Sequence, residues 1–156
     1  MVAIGEKVPD FDLPINGGGR LSLQDLSGKN AVIYFYPKDN TSGCTTEAKD
    51  FSELYGRFKA LDTEIVGVSR DSVKSHDNFA SKYDLPFPLI SDGDETLCNH
   101  FGVIQEKKMY GRTFMGVVRS TYLIGKDGKL VKAWPKVRVK GHAQAVLEAV
   151  EAHQGQ

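Results

Sequence analysis

Residues 34–48 read YFYPKDNTSGCTTEA, and this stretch decides both the fold and the chemistry of the 156-residue chain. An apolar, aromatic run ends at Pro37, a short polar loop with one glycine follows, and Cys44 comes where a helical pattern begins. The first N–H groups of a helix have no intrahelical acceptor, and the helix dipole favours an anion there. Thiolate is the reactive form of cysteine. The stretch therefore predicts a strand, a loop and a helix whose N-terminus presents a reactive thiol.

The composition is that of an ordinary soluble globular protein, with 40% hydrophobic and 26% charged residues. The length predicts one domain over residues 1–156. Lysine plus arginine and aspartate plus glutamate both number 20, and this zero net charge argues against nucleic acid or an anionic membrane as a partner. The chain has no signal-peptide layout at its start, and no apolar run approaches the about 20 residues of a membrane span. Two widely separated cysteines form no disulfide framework, so we expect a cytoplasmic protein.

Turn residues and hydrophobic periodicity predict the order of the secondary structure elements. In chain order they are a hairpin (11–14 and 20–23), a strand (31–35), a helix from Cys44 to Leu61, a strand (65–68), a helix (73–83), a strand (87–90), a helix (95–101), a polar loop (105–116), a second hairpin (120–124 and 129–134) and a helix (142–153). This order predicts an α/β protein with a mixed central sheet, helices on both faces and an N-terminal β-hairpin extension. It fits a thioredoxin-like fold.

The residues around Cys44 match what thiol chemistry needs. Thr41 places a hydroxyl where it reaches the sulfur or an incoming oxygen atom. Pro37 has no N–H, so it ends the strand without an unsatisfied donor and forms a wall of the pocket. Gly43 allows a close approach to the backbone. The alternative is that Cys44 is merely a small residue at the start of a helix, but strand, proline, threonine and helix start occur together and favour the functional interpretation.

Residues 37–48, PKDNTSGCTTEA, resemble the peroxidatic-cysteine signature of peroxiredoxins, in the form of the bacterioferritin-comigratory (peroxiredoxin Q) subfamily. The resemblance extends through VSRDS (68–72), FPLISD (87–92) and RSTYLI (119–124), and so covers most of the chain. The spacing Pro-x-x-x-Thr-x-x-Cys between a predicted strand and a predicted helix is the specific part of the match.

This resemblance implies a thiol-dependent peroxidase without a cofactor. Cys44 would attack the O–O bond of hydrogen peroxide or an organic hydroperoxide and become a sulfenic acid. Thr41 would orient the peroxide through its hydroxyl. Arg119 would stabilise the thiolate and donate to the peroxide oxygens, as a permanently charged guanidinium can. From its local sequence alone, Arg119 is a surface charge at the end of a strand.

The chain departs from the subfamily at the resolving cysteine. Many members carry a second cysteine five residues after the first, or in the following helix, and here those positions hold Lys49 and Ala80. Cys98 lies in a segment of helical periodicity and is predicted to be a buried core residue, with a bridge to Cys44 the less favoured alternative. The resemblance then implies a one-cysteine mechanism in a monomer, with thioredoxin, or glutaredoxin with glutathione, as the reductant.

Other polar residues carry weaker signals. The histidines follow no metal-ligand spacing, so no metal site is predicted, and they are interpreted as solvated or capping residues: His76, His100, His142 and His153. Glu47 either caps the helix start or tunes the Cys44 loop, and no catalytic step is assigned to it.

Reactive cysteines also occur in other classes of enzyme, whose motifs this sequence does not carry. A cysteine-dependent phosphatase needs an arginine six residues after its nucleophile, and that position holds Asp50, which would repel phosphate. A papain-type hydrolase needs a histidine base in a motif that this chain lacks. The remaining alternative to a peroxidase is a non-catalytic redox sensor or binding module.

Overall fold

The computed structural model describes residues 1–154, which hold nine β-strands and four α-helices. The strands are β1 (Asp12–Pro14), β2 (Arg20–Ser22), β3 (Asn30–Phe35), β4 (Thr63–Ser69), β5 (Leu89–Ser91), β6 (Ile104–Met109), β7 (Arg112–Val117), β8 (Ser120–Ile124) and β9 (Leu130–Trp134). The helices are α1 (Ser42–Ala60), α2 (Val73–Tyr83), α3 (Thr96–Phe101) and α4 (His142–Gln154). None of the helices within these residues is long and apolar enough to cross a membrane.

A five-stranded sheet in the order β5-β4-β3-β8-β9 forms the centre of the molecule. Strand β3 pairs parallel with β4 and antiparallel with β8, so the sheet is mixed. Every residue of β3 is buried, as its continuous apolar run predicts. The prediction of a mixed central sheet is confirmed.

Two hydrophobic cores lie on opposite faces of this sheet, because successive side chains of a strand point to opposite faces. Ile33 and Phe35 of β3 belong to the first core, together with side chains of α3 and the N-terminal segment. Val32 and Tyr34 belong to the second core, with side chains of α1, α2 and α4. Helices therefore cover both faces, as predicted.

The N-terminal extension is a small antiparallel hairpin of β1 and β2 that packs beside α2 and β5. A single 3-10 turn, Asn16–Gly18, joins the two strands. Asn16 Oδ1 accepts a hydrogen bond from the Leu89 amide at 2.9 Å, and the Gly17 amide donates to Asp77 Oδ1 at 2.7 Å. The predicted hairpin extension is confirmed, and it is anchored to the body of the fold.

The prediction of a polar loop over residues 105–116 is wrong. This segment forms most of a second hairpin, β6 and β7, with a two-residue turn at Tyr110 and Gly111. Both turn residues have positive φ, 53° and 75°, as the favoured short hairpin turns require. Most of the side chains are exposed, so the sequence shows no alternation of buried and polar residues from which a strand could be recognised. Strand β7 leads directly to Arg119.

Candidate active site

Cys44 is the third residue of α1, at the end of a loop that leaves β3. Thr41 is the N-cap residue, with extended backbone, and the first intrahelical bond of the N-terminal turn runs from the Thr45 amide to the Thr41 carbonyl at 2.9 Å. The amides before it, including that of Cys44, have no acceptor in the helix and give this end a positive potential. The Cys44 side chain is only 2% exposed, and it belongs to the core on the α1 face of the sheet.

Arg119 approaches Cys44 from the connection between β7 and β8. Its Nη2 donates to the Cys44 sulfur at 3.3 Å, and Nη1 donates to Glu47 Oε1 at 2.7 Å. The two residues are 75 positions apart in sequence. They meet because β8 runs antiparallel to β3, with Ser120 opposite Phe35, so that β8 begins where β3 ends. The guanidinium thus places a permanent positive charge beside the sulfur.

Glu47 holds the guanidinium in place, and sequence reasoning assigned it no such contact. It lies three residues after Cys44, on the same face of α1, and its side chain is 1% exposed. Burial raises the pKa of Glu47 to about 7, although the charge and hydrogen bonds of Arg119 act in the opposite direction. Burial acts to lower the pKa of Arg119, but the negative charges of Glu47 and Cys44 outweigh it and raise that pKa. The three-residue spacing, which places Glu47 and Cys44 on one face of a helix, is the sequence signal that could have indicated this contact.

Gly43 makes room for this arrangement. A Cβ atom at position 43 would lie 3.2 Å from Arg119 Nη2, closer than most real Cβ contacts. The close approach that the sequence predicted for Gly43 is therefore made by the guanidinium.

Thr41 and Pro37 lie in the loop that precedes the helix. The Thr41 hydroxyl is exposed and donates to the Lys38 carbonyl at 2.8 Å, so its oxygen keeps lone pairs that can accept another hydrogen bond. Pro37 is half-buried and follows Tyr36, whose amide still bonds to the Val68 carbonyl at 3.0 Å. Pro37 therefore comes where pairing with β4 ends, as its missing N–H predicts.

Cys98 lies far from this arrangement, on the other side of the sheet. It is fully buried in the first core, beside Leu97 and Phe101, whereas Cys44 belongs to the second. Both cysteines are free. Lys49 is exposed on α1, and Ala80 is buried on α2.

The interpretation of all the histidines as solvated or capping residues is wrong for two of them. His76 is fully buried, with Asp39 and the Ile90 carbonyl at its two ring nitrogens. His142 is buried between aromatic rings, and its Nε2 lies 2.8 Å from Thr121 Oγ1. Burial, and then the charge of Arg119, lower the pKa of His142 to about 4. Within residues 1–154 no group of three histidine, cysteine or acidic side chains could hold a metal ion.

Comparison with known proteins shows the family to which this chain belongs. The AhpC/TSA family matches residues 4–133. Peroxiredoxin Bcp of Xanthomonas campestris is 55% identical over 145 residues, which cover 92% of this chain and 91% of that protein. The chain belongs to the peroxiredoxin family, in its bacterioferritin-comigratory (peroxiredoxin Q) branch. The resemblance seen in the sequence is confirmed, and this peroxiredoxin is a thiol-dependent peroxidase whose substrate is a peroxide.

Further relatives and solved structures agree with this assignment. Peroxiredoxin Bcp of Bacillus subtilis is 45% identical over 150 residues and 96% of each chain. The X. campestris bacterioferritin comigratory protein, solved as trapped intermediate and ligand complexes to study its alkyl peroxide reduction, has a TM-score of 0.91 and 50% identity over 99% of this chain and 98% of that one. A mutant of Xylella fastidiosa peroxiredoxin Q has a TM-score of 0.93 and 43% identity over 98% of each chain. The thioredoxin-like fold is confirmed.

Proposed function

We propose that Cys44 is the nucleophile with which this peroxiredoxin reduces hydrogen peroxide and organic hydroperoxides. The observation that carries the proposal is the 3.3 Å contact from Arg119 Nη2 to the Cys44 sulfur at a helix N-terminus. In the reaction a bond forms between the sulfur and one peroxide oxygen, and the O–O bond breaks. The sulfur loses two electrons and becomes a sulfenic acid, while the other oxygen takes up a proton and leaves as water or an alcohol.

Arg119 has two parts in this proposal. Its positive charge stabilises the thiolate before the reaction, and its N–H groups donate to the peroxide oxygens as negative charge develops on the leaving group. The hydrogen bond to Glu47 supports the proposal. A guanidinium whose Nη1 is fixed by Glu47 needs less reorganisation before Nη2 donates to the peroxide.

Thr41 orients the peroxide. Because its hydroxyl proton is committed to the Lys38 carbonyl, its oxygen is left as an acceptor for the O–H of the substrate. Pro37 forms the adjacent wall of the pocket and keeps the loop free of a competing donor.

We further propose a one-cysteine mechanism. Structures of X. campestris peroxiredoxin Q include cysteine-to-serine mutants at its positions 48 and 84. The same interval from Cys44 leads to Ala80, which cannot form a disulfide. Cys98 lies in the core on the opposite side of the sheet, so a bridge to Cys44 would require the fold to open. An external thiol therefore attacks the sulfenic acid and restores Cys44.

The reductant that we propose is thioredoxin, or glutaredoxin with glutathione, acting on a monomer in the cytoplasm. Free, buried cysteines fit a reducing compartment. Assays with each reductant in turn identify the one that sustains turnover, and light scattering measures the oligomeric state.

The mass of the intact protein after one equivalent of hydrogen peroxide, with a sulfenic-acid trap present, tests the mechanism. We expect a single trapped adduct that maps to Cys44. A loss of two hydrogens without an adduct, mapping to a bridge between Cys44 and Cys98, would refute the one-cysteine mechanism. An adduct at Cys98 alone would refute the assignment of the nucleophile.

A further inference from the structure

A buried pair of side chains ties the loop before Cys44 to helix α2. Asp39 Oδ2 lies 2.7 Å from His76 Nδ1, and neither side chain is more than 1% exposed. The other ring nitrogen, Nε2, lies 2.9 Å from the Ile90 carbonyl oxygen of β5. The pair therefore joins the Cys44 loop, α2 and the edge strand of the central sheet. We call the contact between Asp39 and His76 the loop latch.

Several hydrogen bonds hold the loop latch. The ring nitrogens of His76 lie against two oxygen atoms, one of the Asp39 carboxyl group and one of the Ile90 carbonyl group. Asp39 also accepts hydrogen bonds from the Tyr36 hydroxyl at 2.6 Å and from Ser75 Oγ at 2.8 Å. Burial acts to raise the pKa of Asp39, but the hydrogen bonds from His76, Tyr36 and Ser75 outweigh it and hold that pKa below its ordinary value. Asp39 is therefore a carboxylate that several hydrogen bonds fix in place.

The loop depends on such anchors. Asn40 has a φ of 61°, a conformation that residues other than glycine adopt at some cost in free energy. On one side of it, the Asp39 side chain is held by the latch and the Asp39 amide donates to Asp71 Oδ2 at 3.0 Å. On the other side, Thr41 is the N-cap residue of helix α1. A loop held in this way keeps both Thr41 and Cys44 in place.

We propose that His76 is a positioning residue of the peroxidase, which holds the Cys44 loop in place through Asp39. The proposal rests on the proposed role of Cys44. A loop held in place keeps the Cys44 sulfur beside the Arg119 guanidinium, at the helix N-terminus where the reaction takes place.

Amide hydrogen exchange of residues 38–44 at one fixed pH tests the latch, in a Cys44→Ser background that prevents oxidation at position 44. Protection factors are compared between the protein with His76 and the His76→Gln variant. We expect His76→Gln to lower the protection of these residues about tenfold, because the buried hydrogen bond to Asp39 is lost. Equal protection in both proteins would overturn the proposal.

Two milder substitutions on α2 keep the test decisive if His76→Gln fails to fold. Ser75→Ala removes one donor to Asp39 and should lower loop protection about threefold. Asp77→Asn is the matched control, because Asp77 binds the Gly17 amide and does not touch the loop. We expect it to leave loop protection unchanged. Equal loss in both variants would mean a general loosening of α2 and would overturn the latch.

Peroxide consumption by the protein with Cys44 intact separates this inference from the proposed function. We expect His76→Gln to slow the reaction with hydrogen peroxide about tenfold without abolishing it, because the loop is less preorganised. Unchanged exchange and unchanged rate in His76→Gln would overturn the latch while leaving Cys44 as the nucleophile. Full activity in Cys44→Ser would instead overturn the proposed function.

Discussion

Cys44 and Cys98 are each the third residue of a helix, and each is almost fully buried. They lie on opposite faces of the central sheet, Cys44 with α1 and Cys98 with α3. Helix α1 has 19 residues and α3 has six. The two cysteines therefore offer an internal comparison of what a helix N-terminus contributes to a thiol and what the neighbouring charges contribute.

The neighbouring charges have opposite signs. At Cys44, the guanidinium of Arg119 lies 3.3 Å from the sulfur. At Cys98, the buried carboxylate of Asp92 accepts hydrogen bonds from the backbone amides of Leu97 and Cys98, at 3.1 and 2.7 Å. Burial, and then the Asp92 carboxylate, raise the pKa of the Cys98 thiol far above its ordinary value. A helix N-terminus alone does not activate a cysteine, because an acidic capping residue can take up its free N–H groups and oppose the thiolate.

The largest effect is expected when the two sulfurs are removed in turn. Cys44→Ser should lower peroxide turnover by at least about 10³-fold, because a hydroxyl is a far weaker nucleophile than a thiolate. Cys98→Ser should leave the rate constant per folded molecule unchanged while lowering the free energy of unfolding by about 1–3 kcal/mol, through a hydroxyl in an apolar core. Peroxide consumption and urea denaturation measure the two quantities. Retained turnover in Cys44→Ser would contradict the assignment of Cys44 as the nucleophile.

The second largest effect is expected when the positive charge beside Cys44 is removed. Arg119→Ala should lower the rate constant with hydrogen peroxide about 10²-fold, as loss of a donor to a developing negative charge does in other enzymes. Arg119→Lys keeps the charge but lacks the fork that reaches both the Cys44 sulfur and Glu47, so we expect an intermediate rate. Stopped-flow competition assays measure both rate constants. If the alanine and lysine variants matched the parent protein, Arg119 would have no part in the reaction.

Glu47→Gln should change how stability depends on pH. The pKa of Glu47 is raised from 4.5 to about 7, so at intermediate pH the folded state holds a proton that the unfolded chain has released. The bound proton stabilises the folded state. This contribution to the free energy of unfolding falls by about 1 kcal/mol per pH unit as the pH rises from 4.5 to about 7. The glutamine variant should lack that loss and so gain stability relative to the parent protein from pH 5 to pH 7. Urea denaturation at several pH values measures the difference, and parallel curves would contradict it.

The smallest effect is expected at the acidic cap of α3. Asp92→Asn keeps the size of the side chain but supplies one acceptor oxygen where two are in use, so it should lower the free energy of unfolding by about 1 kcal/mol. Loss of the negative charge should also make the Cys98 thiol easier to ionise, while peroxide turnover stays unchanged. Alkylation of Cys98 in the Cys44→Ser background detects that change. A loss of turnover in Asp92→Asn would show that the two sides of the sheet are coupled.

Local patterns were enough for most of the fold and for part of the candidate site. The buried run of β3 and the helical spacing after Cys44 predicted the strand, the loop and α1, and all three form. The β6–β7 hairpin was missed, because its exposed side chains leave no periodicity and its turn carries a tyrosine at positive φ. His76 looked like a solvated residue, since nothing near it in sequence indicates the carboxylate it meets.

The sequence by itself determined that a cysteine begins a helix after a buried strand, because capping, turn chemistry and periodicity act over a few neighbouring residues. Only the tertiary structure decided which of the 20 lysines and arginines reaches Cys44, that Cys98 lies across the sheet, and that His76 meets Asp39. These contacts join residues 37 to 75 positions apart. They depend on the pairing of β3 with β4 and β8. Burial of the whole sheet determines this pairing, so no single stretch of the sequence predicts it.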